Sequence, residues 1–251
     1  MNISLASKTL LITGAARGIG AAIAAGAAAS GAAALVLTDR GPIVPPEGVD
    51  VALVEADLAD PEAPGRIIEA ALDRFGRIDG LVNAAGLTTR GSFTDTDPAL
   101  FDRLMAVNAR APFLLMSGAI RAMLAQGGGG AIVNIQSINA HCGAPELAPY
   151  SASKGALRTL TANAANAHLR DGIRVNGINL GWTDTETERH LHDVELGKGE
   201  GWLAAQAASR PLGRFVSAED AARLALYLLS DASAPMTGQS LDLEQSVLGA
   251  P

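Results

Sequence analysis

Aromatic side chains are scarce in this chain of 251 residues: five phenylalanines, two tyrosines and two tryptophans, 4% of the whole. Cysteine is scarcer still. Cys142 is the only one, so no internal disulfide can form, and a reducing cytoplasm is the expected setting. No apolar run approaches the ~20 residues that a membrane span needs, so no membrane partner is expected. Basic clusters are missing too. Lysine and arginine number 19 against 26 acidic residues, a formal charge of −7, which argues against a nucleic-acid partner. The four histidines and single cysteine show no ligand spacing, so no metal is expected. The opening "MNISLASKTLLITG" runs into a strand pattern, without the charged, apolar and small-residue zones of a targeting leader.

What the chain does have is alanine, glycine and a regular alternation of elements. Strand patterns fall at 8–13, 33–38, 51–56, 79–84, 131–137, 173–180 and 240–244. Helix patterns lie between them at 18–31, 61–75, from Asp97-Pro98 to about Gln126, 150–170 and 218–230. Strands alternating with helices make a parallel sheet covered on both faces, an α/β fold. No linker or repeat divides the chain, so residues 1–251 read as one domain. One connection is irregular. "DRGPIVPPEGVD" (39–50) holds three prolines and two glycines, which rules out an ordinary crossover helix; a loop and a slightly trimmed sheet edge are expected.

"TGAARGIG" (13–20) sits between the first strand and the alanine-rich helix. Gly14, Gly18 and Gly20 allow a tight turn, close approach of backbone to a pyrophosphate and packing of helix on strand, and the helix N-terminus attracts the anion. The bland alternative is a glycine-rich connecting turn. Asp39 lies 19 residues beyond Gly20 (39 − 20). A carboxylate there accepts hydrogen bonds from the adenosine ribose and repels a 2′-phosphate, which favours NAD over NADP. Arg17 and Arg40 argue the other way, unless they are simply solvated charges.

"APYSASKGA" (148–156) puts Tyr150 four residues ahead of Lys154 on one helix face. A free tyrosine titrates near pH ~10, and bringing it to ~7 takes about 4 kcal/mol. A unit positive charge ~4 Å away supplies about that much at an effective dielectric near ~20. The spacing therefore suits a phenol that works as a base and, in reverse, as an acid.

With these segments the chain resembles the short-chain dehydrogenase/reductase family over almost its whole length. The likeness includes "TGAARGIG", "ADL" (56–58), "NAAG" (83–86), Asn108 in "AVNARAPF", and Ser137 thirteen residues before Tyr150 (150 − 137). Two positions depart from the family pattern: Ala84 stands in place of an asparagine, and Leu180 in place of the proline before Gly181. The resemblance implies a single-domain Rossmann-type doubly wound sheet of about seven strands. It implies an NAD(P)-dependent oxidoreductase interconverting a secondary alcohol and a carbonyl. Its catalytic residues would be Asn108, Ser137, Tyr150 and Lys154. Ser137 would polarise the substrate oxygen. Lys154 would also bind the nicotinamide ribose, and Asn108 would hold a water that links Lys154 to solvent. The coenzyme would lie along Gly14, Arg17, Gly18, Ile19 and Gly20. It would continue past Asp39 and Arg40, with Asp57 and Leu58 at the adenine. Asn83, Ala84, Ala85 and Gly86 would follow, then Tyr150 and Lys154, and finally Gly181, Thr183 and Thr185.

The substrate wall is expected from Ser137, Asn139, His141, Glu146 and Tyr150, and from Trp182, Glu186, His190, His192 and Trp202 after the sixth strand. These polar groups with two large aromatics suit a small polyhydroxy compound, so an NAD-linked sugar or polyol dehydrogenase is the first reading. An NADPH-dependent carbonyl reductase and a coenzyme-sensing protein without turnover are the alternatives. Residues at about 184–210 are expected to close over the site as a lid. The family is usually oligomeric, and a homotetramer or homodimer is expected. Its contacts would be the long helices around the fifth strand and the C-terminal segment.

Overall fold

The structure is a computed structural model that describes residues 3–186, 189, 192, 194, 196–199 and 201–246. The first half contains β1 (Thr9–Thr13), α1 (Gly18–Ala29), β2 (Ala34–Asp39), β3 (Asp50–Glu55), α2 (Ala63–Phe75) and β4 (Gly80–Asn83). Next come α3 (Pro98–Met105), α4 (Ala111–Gln126), β5 (Gly130–Ser137), α5 (Ala148–Ala167) and β6 (Ile173–Leu180). The chain continues with β7 (Thr183–Asp184), α6 (Trp202–Ala208), β8 (Val216–Ser217), α7 (Ala218–Leu229) and β9 (Ser240–Leu243).

Seven parallel strands form one sheet in the order β3-β2-β1-β4-β5-β6-β9. From β1 the chain winds to one edge, and from β4 it winds to the other. The reversal opens a crevice at the carboxyl ends of β1 and β4, where doubly wound sheets bind their ligands. Side chains alternate across the sheet. Leu10 and Ile12 of β1 pack with Ile23 and Ala27 of α1 and Leu226 of α7, while Leu11 packs on the opposite face with Ile67, Leu81 and Leu115. Both faces of β1 are therefore apolar and buried.

The connection at residues 40–49 carries no helix, as its prolines require. The edge is not trimmed, contrary to expectation: β3 pairs with β2 through six residues, from Ala34–Asp50 to Asp39–Glu55. The missing helix costs cover instead of length, and Leu53 on β3 is left 52% exposed.

The helix expected from Asp97 to Gln126 is interrupted once. Asp97 caps α3 by accepting from the Leu100 N–H. A single π turn, Ala106–Arg110, then joins α3 to α4 and carries the fully buried Asn108. Such turns aim one side chain differently from its helical neighbours. At α7, Ser217 and Asp220 form a reciprocal capping box. No described helix is long and apolar enough to cross a membrane.

Candidate active site

The crevice is built from backbone on its β1 side. Gly14 adopts φ 70°, and a side chain there would meet the backbone of Ala85 at 2.8 Å. A Cβ on Gly20 would lie 2.1 Å from the Gly14 carbonyl. Only glycine lets these segments approach so closely. Thr13 fastens the neighbouring loop: its hydroxyl accepts from the N–H groups of Ala84 (3.1 Å) and Ala85 (3.0 Å). The loop's hold on β1 therefore runs through its backbone, and Ala84 needs no side-chain partner for it. No side chain caps the N-terminus of α1, so none competes with an anion for its first N–H groups.

Asp39 closes this half. One carboxylate oxygen accepts from the Ala16 N–H at 3.0 Å, and the other accepts from Arg40 N–H (2.7 Å) and Gly41 N–H (3.3 Å). Arg17 and Arg40 are exposed beside it. Asp57 follows β3 and pairs with Arg103 at 3.3 Å. Burial raises the Asp57 pKa, but the Ala59 N–H, Arg103 and Arg40 outweigh it and leave the carboxyl below its ordinary range.

The four candidate catalytic residues are all buried: Asn108, Ser137, Tyr150 and Lys154 are 0%, 4%, 7% and 4% exposed. Ser137 ends β5, and its hydroxyl oxygen accepts from the Asn139 N–H at 3.1 Å. That bond occupies an acceptor position and leaves the hydroxyl proton to donate elsewhere. Tyr150 and Lys154 are one turn apart on α5, and the Lys154 Nζ sits 5.9 Å from the centre of the Tyr150 ring. The ammonium also donates to the Ile135 carbonyl at 2.9 Å. Burial lowers the Lys154 pKa to about 8.

Asn108 reaches the same cluster from the π turn. It accepts from the Leu87 N–H (2.9 Å) and donates to the Leu87 carbonyl (2.9 Å) and to Ser153 (3.0 Å). Ser153 in turn donates to the Tyr150 carbonyl at 2.6 Å. A Cβ on Gly86 would stand 3.3 Å from the Lys154 Nζ and 3.4 Å from the Asn108 Oδ1. The loop after β4, the π turn and α5 thus meet at one point.

Asn83 points beneath this point. It donates to Asn134 (2.8 Å), Asn134 donates to Thr161 (2.8 Å), and Gln136 donates to the same Thr161 hydroxyl (2.8 Å). This buried polar chain ties α5 to β4 and β5. Sequence reading missed Ser153, Thr161 and Thr13. Ser153 and Thr161 share the buried face of α5 with Tyr150 and Lys154, and that helical spacing was the available signal.

The side beyond β6, where the substrate wall is expected, is assembled from side chains. Trp182 lies 5.0 Å from His192, 5.3 Å from Trp202 and 5.0 Å from Phe215, and His192 stacks on Trp202 at 4.3 Å. Arg210 lies over Trp182, and Lys198 over Trp202. Phe215 and Arg210 carry no sequence motif and were not anticipated. Glu146 pairs with Arg90 at 2.7 Å, and Glu186 is exposed. His190 lies outside the described residues.

His141, expected at the substrate wall, is engaged by side chains of other elements. One ring nitrogen faces Arg158 at 3.1 Å and the other faces Asp242 at 3.2 Å. It ties the segment after β5 to α5 and β9, with both nitrogens engaged. Thr185 lies against the glycine loop, 3.7 Å from where a Gly18 Cβ would stand. Thr183 is buried and donates to the Gly181 carbonyl at 3.1 Å.

A family model described as enoyl-(acyl carrier protein) reductase matches residues 14–245. The chain is 34% identical to 2-(S)-hydroxypropyl-CoM dehydrogenase 3 of Xanthobacter autotrophicus, over 97% of this chain and 98% of that one. It is also 34% identical to gluconate 5-dehydrogenase of Gluconobacter oxydans, over 97% and 96%. The chain belongs to the short-chain dehydrogenase/reductase family. Among solved structures, the L-sorbose reductase of Gluconobacter frateurii, complexed with NADPH and L-sorbose, superimposes on this short-chain dehydrogenase with a TM-score of 0.90. The identity is 29%, and all of both chains is covered. This short-chain dehydrogenase is an oxidoreductase of the alcohol–carbonyl couple. Its glycine cradle, uncapped helix N-terminus and Asp39 fit a dinucleotide coenzyme.

Proposed function

We propose that the chain is an NAD-linked dehydrogenase of a sugar or polyol, with Tyr150 as the acid–base group. One observation carries the reading: a buried lysine ammonium 5.9 Å from the Tyr150 ring, in a site whose serine hydroxyl is already oriented. Opposite charges about that far apart attract by about 3 kcal/mol at an effective dielectric near ~20. That is most of the ~4 kcal/mol that ionising a phenol near pH ~7 takes.

The coenzyme, when bound, accepts or returns hydride. The chain's own residues do the rest. Ser137 donates to the substrate oxygen and holds the reacting carbon in place. Tyr150 takes the hydroxyl proton at its phenolic oxygen during oxidation and returns it during reduction. Lys154 stabilises the phenolate and holds the nicotinamide ribose. Asn108, through Leu87 and Ser153, keeps the π turn and α5 in register and supports a water that links Lys154 to solvent. Gly14, Gly18, Ile19, Gly20, Ala85 and Gly86 give the coenzyme backbone access. Arg17, Leu58, Asn83, Gly181, Thr183 and Thr185 complete its border.

NAD is preferred because a carboxylate at the end of β2, here Asp39, repels a 2′-phosphate. The sugar or polyol reading draws support from relatives named for gluconate and L-sorbose, and from the mix of polar and aromatic groups around Trp182. Residues 184–210 serve as the lid. The exposed thiol of Cys142 suits a reducing cytoplasm. A second copy would cover the groove of about 730 Å³ between α3, α4 and α5, where Phe113 is 50% exposed. The NADPH-bound neighbour favours one other reading, a carbonyl reductase with the same acid–base set.

The test is Tyr150→Phe, assayed on sugars and polyols by NADH absorbance with coenzyme binding measured in parallel. Turnover should fall by roughly 10³-fold or more while NAD⁺ binds within about threefold of the wild type. Unchanged turnover would remove Tyr150 from the chemistry.

A further inference from the structure

The turn after β6 enters the reacting end of the crevice. Leu180, its last strand residue, is registered opposite Ser137. No proline stiffens the turn, so something else must fix its path. Its first N–H, from Gly181, donates to the Leu243 carbonyl at 3.1 Å. Its second, from Trp182, donates to a carboxylate oxygen of Glu244 at 3.2 Å. The other Glu244 oxygen accepts from the Gln245 N–H at 2.6 Å. The carboxylate is therefore held at both oxygens, directly over Gly181, where an added Cβ would stand 2.0 Å from it.

The next side chain extends the hold. Gln245 accepts from the Leu212 N–H at 2.9 Å and donates to the Arg214 carbonyl at 2.6 Å. Residues 244 and 245 thus hold both ends of the 184–210 segment, its root at 181–182 and its return at 212–214. Downstream of the root, Thr185 lies beside the glycine loop, 3.7 Å from where a Gly18 Cβ would stand. Any slip of the turn would pass to both ends of the coenzyme crevice.

We infer that Glu244 is a positioning residue: its carboxylate clamps the Gly181–Trp182 turn and so sets the wall against which the nicotinamide end of the coenzyme rests. The inference rests on the coenzyme reading above. Two N–H donors meet two carboxylate oxygens. Alanine offers no acceptor. Glutamine would satisfy one donor and turn its own NH2 toward the other.

The test compares NAD⁺ with ADP-ribose, which lacks the nicotinamide, by calorimetry on the wild type, Glu244→Ala, Glu244→Gln and Gly181→Ala. The last variant pushes the carboxylate away and should copy the first. In each variant NAD⁺ should weaken about tenfold while ADP-ribose stays within about twofold, the pattern of one lost charge-assisted contact. The double variant Gly181→Ala/Glu244→Ala should be no worse than either single one, since both remove the same clamp. Equal weakening of both ligands would mean general damage and overturn the assignment, as would unchanged NAD⁺ binding. A wild type that binds neither ligand would overturn the coenzyme reading itself, and the inference with it.

Discussion

The two sides of the crevice are made in different ways. The β1 side is a backbone surface. Gly14 lies on Ala85, Thr13 holds two N–H groups, and Asp39 holds three more. The side beyond β6 is a side-chain surface, where Trp182, His192, Trp202 and Phe215 converge with Arg210. The backbone side suits what is common to every turnover, a phosphate-bearing coenzyme. The side-chain side holds both tryptophans of an aromatic-poor chain and can be rebuilt without disturbing the sheet. Tyr150 and Lys154 stand between the two, on a helix pinned by Thr161.

If that division is real, a change at the junction should have the largest effect. Lys154→Met should lower turnover about 10³-fold, because the phenol loses its cation. The same variant should expose the electrostatic strain of the site. The folded Lys154 titrates at about 8, below its ordinary 10.5. Between those values the unfolded chain binds more protons, so wild-type stability should rise with pH across that window. Relative to Lys154→Met the rise should total about 3 kcal/mol in chemical unfolding from pH ~8 to ~10.5. A flat difference would mean that the ammonium is not buried in solution.

A change on the backbone side should alter coenzyme choice and leave substrate choice alone. Asp39→Ser removes the charge that opposes a 2′-phosphate, with Arg17 and Arg40 nearby to receive it. The ratio of kcat/KM for NADP⁺ over NAD⁺ should rise about 10²-fold, the size of a lost like-charge clash with some local screening. A shift in sugar preference instead would break the division.

A change on the side-chain side should have the smallest effect. Trp202→Ala loses ring contacts with Trp182 and His192 and the Lys198 cation. An aromatic pair contributes about 0.5–1.5 kcal/mol, and one pair's worth of lost order in the wall should raise KM for the substrate by roughly three- to tenfold. NAD⁺ affinity, measured by fluorescence titration, should hold.

The same division decided what could be read from sequence. Strand and helix order followed from apolar periodicity, and the prolines at 42–46 correctly ruled out a helix. Gly14, Gly20 and Tyr150–Lys154 were legible because close backbone approach and a shared helix face demand fixed residue types at fixed local spacing. Glu244 was not. It meets Trp182 across 62 residues, and no local pattern marks a carboxylate that will lie over a distant glycine. The tie of His141 to Arg158 and Asp242 was illegible for the same reason, since both reach it from other elements. The trimmed edge was inferred from loop composition, but strand length is set by the ladder to β2, which the loop does not enter.

The central claim is that the fold forces a lysine ammonium out of water beside Tyr150. The direct test is to titrate the Lys154 side-chain nitrogen by NMR in labelled, coenzyme-free protein, assigned by its loss in Lys154→Met. The account predicts a midpoint at about 8. A midpoint at the ordinary 10.5 would contradict it.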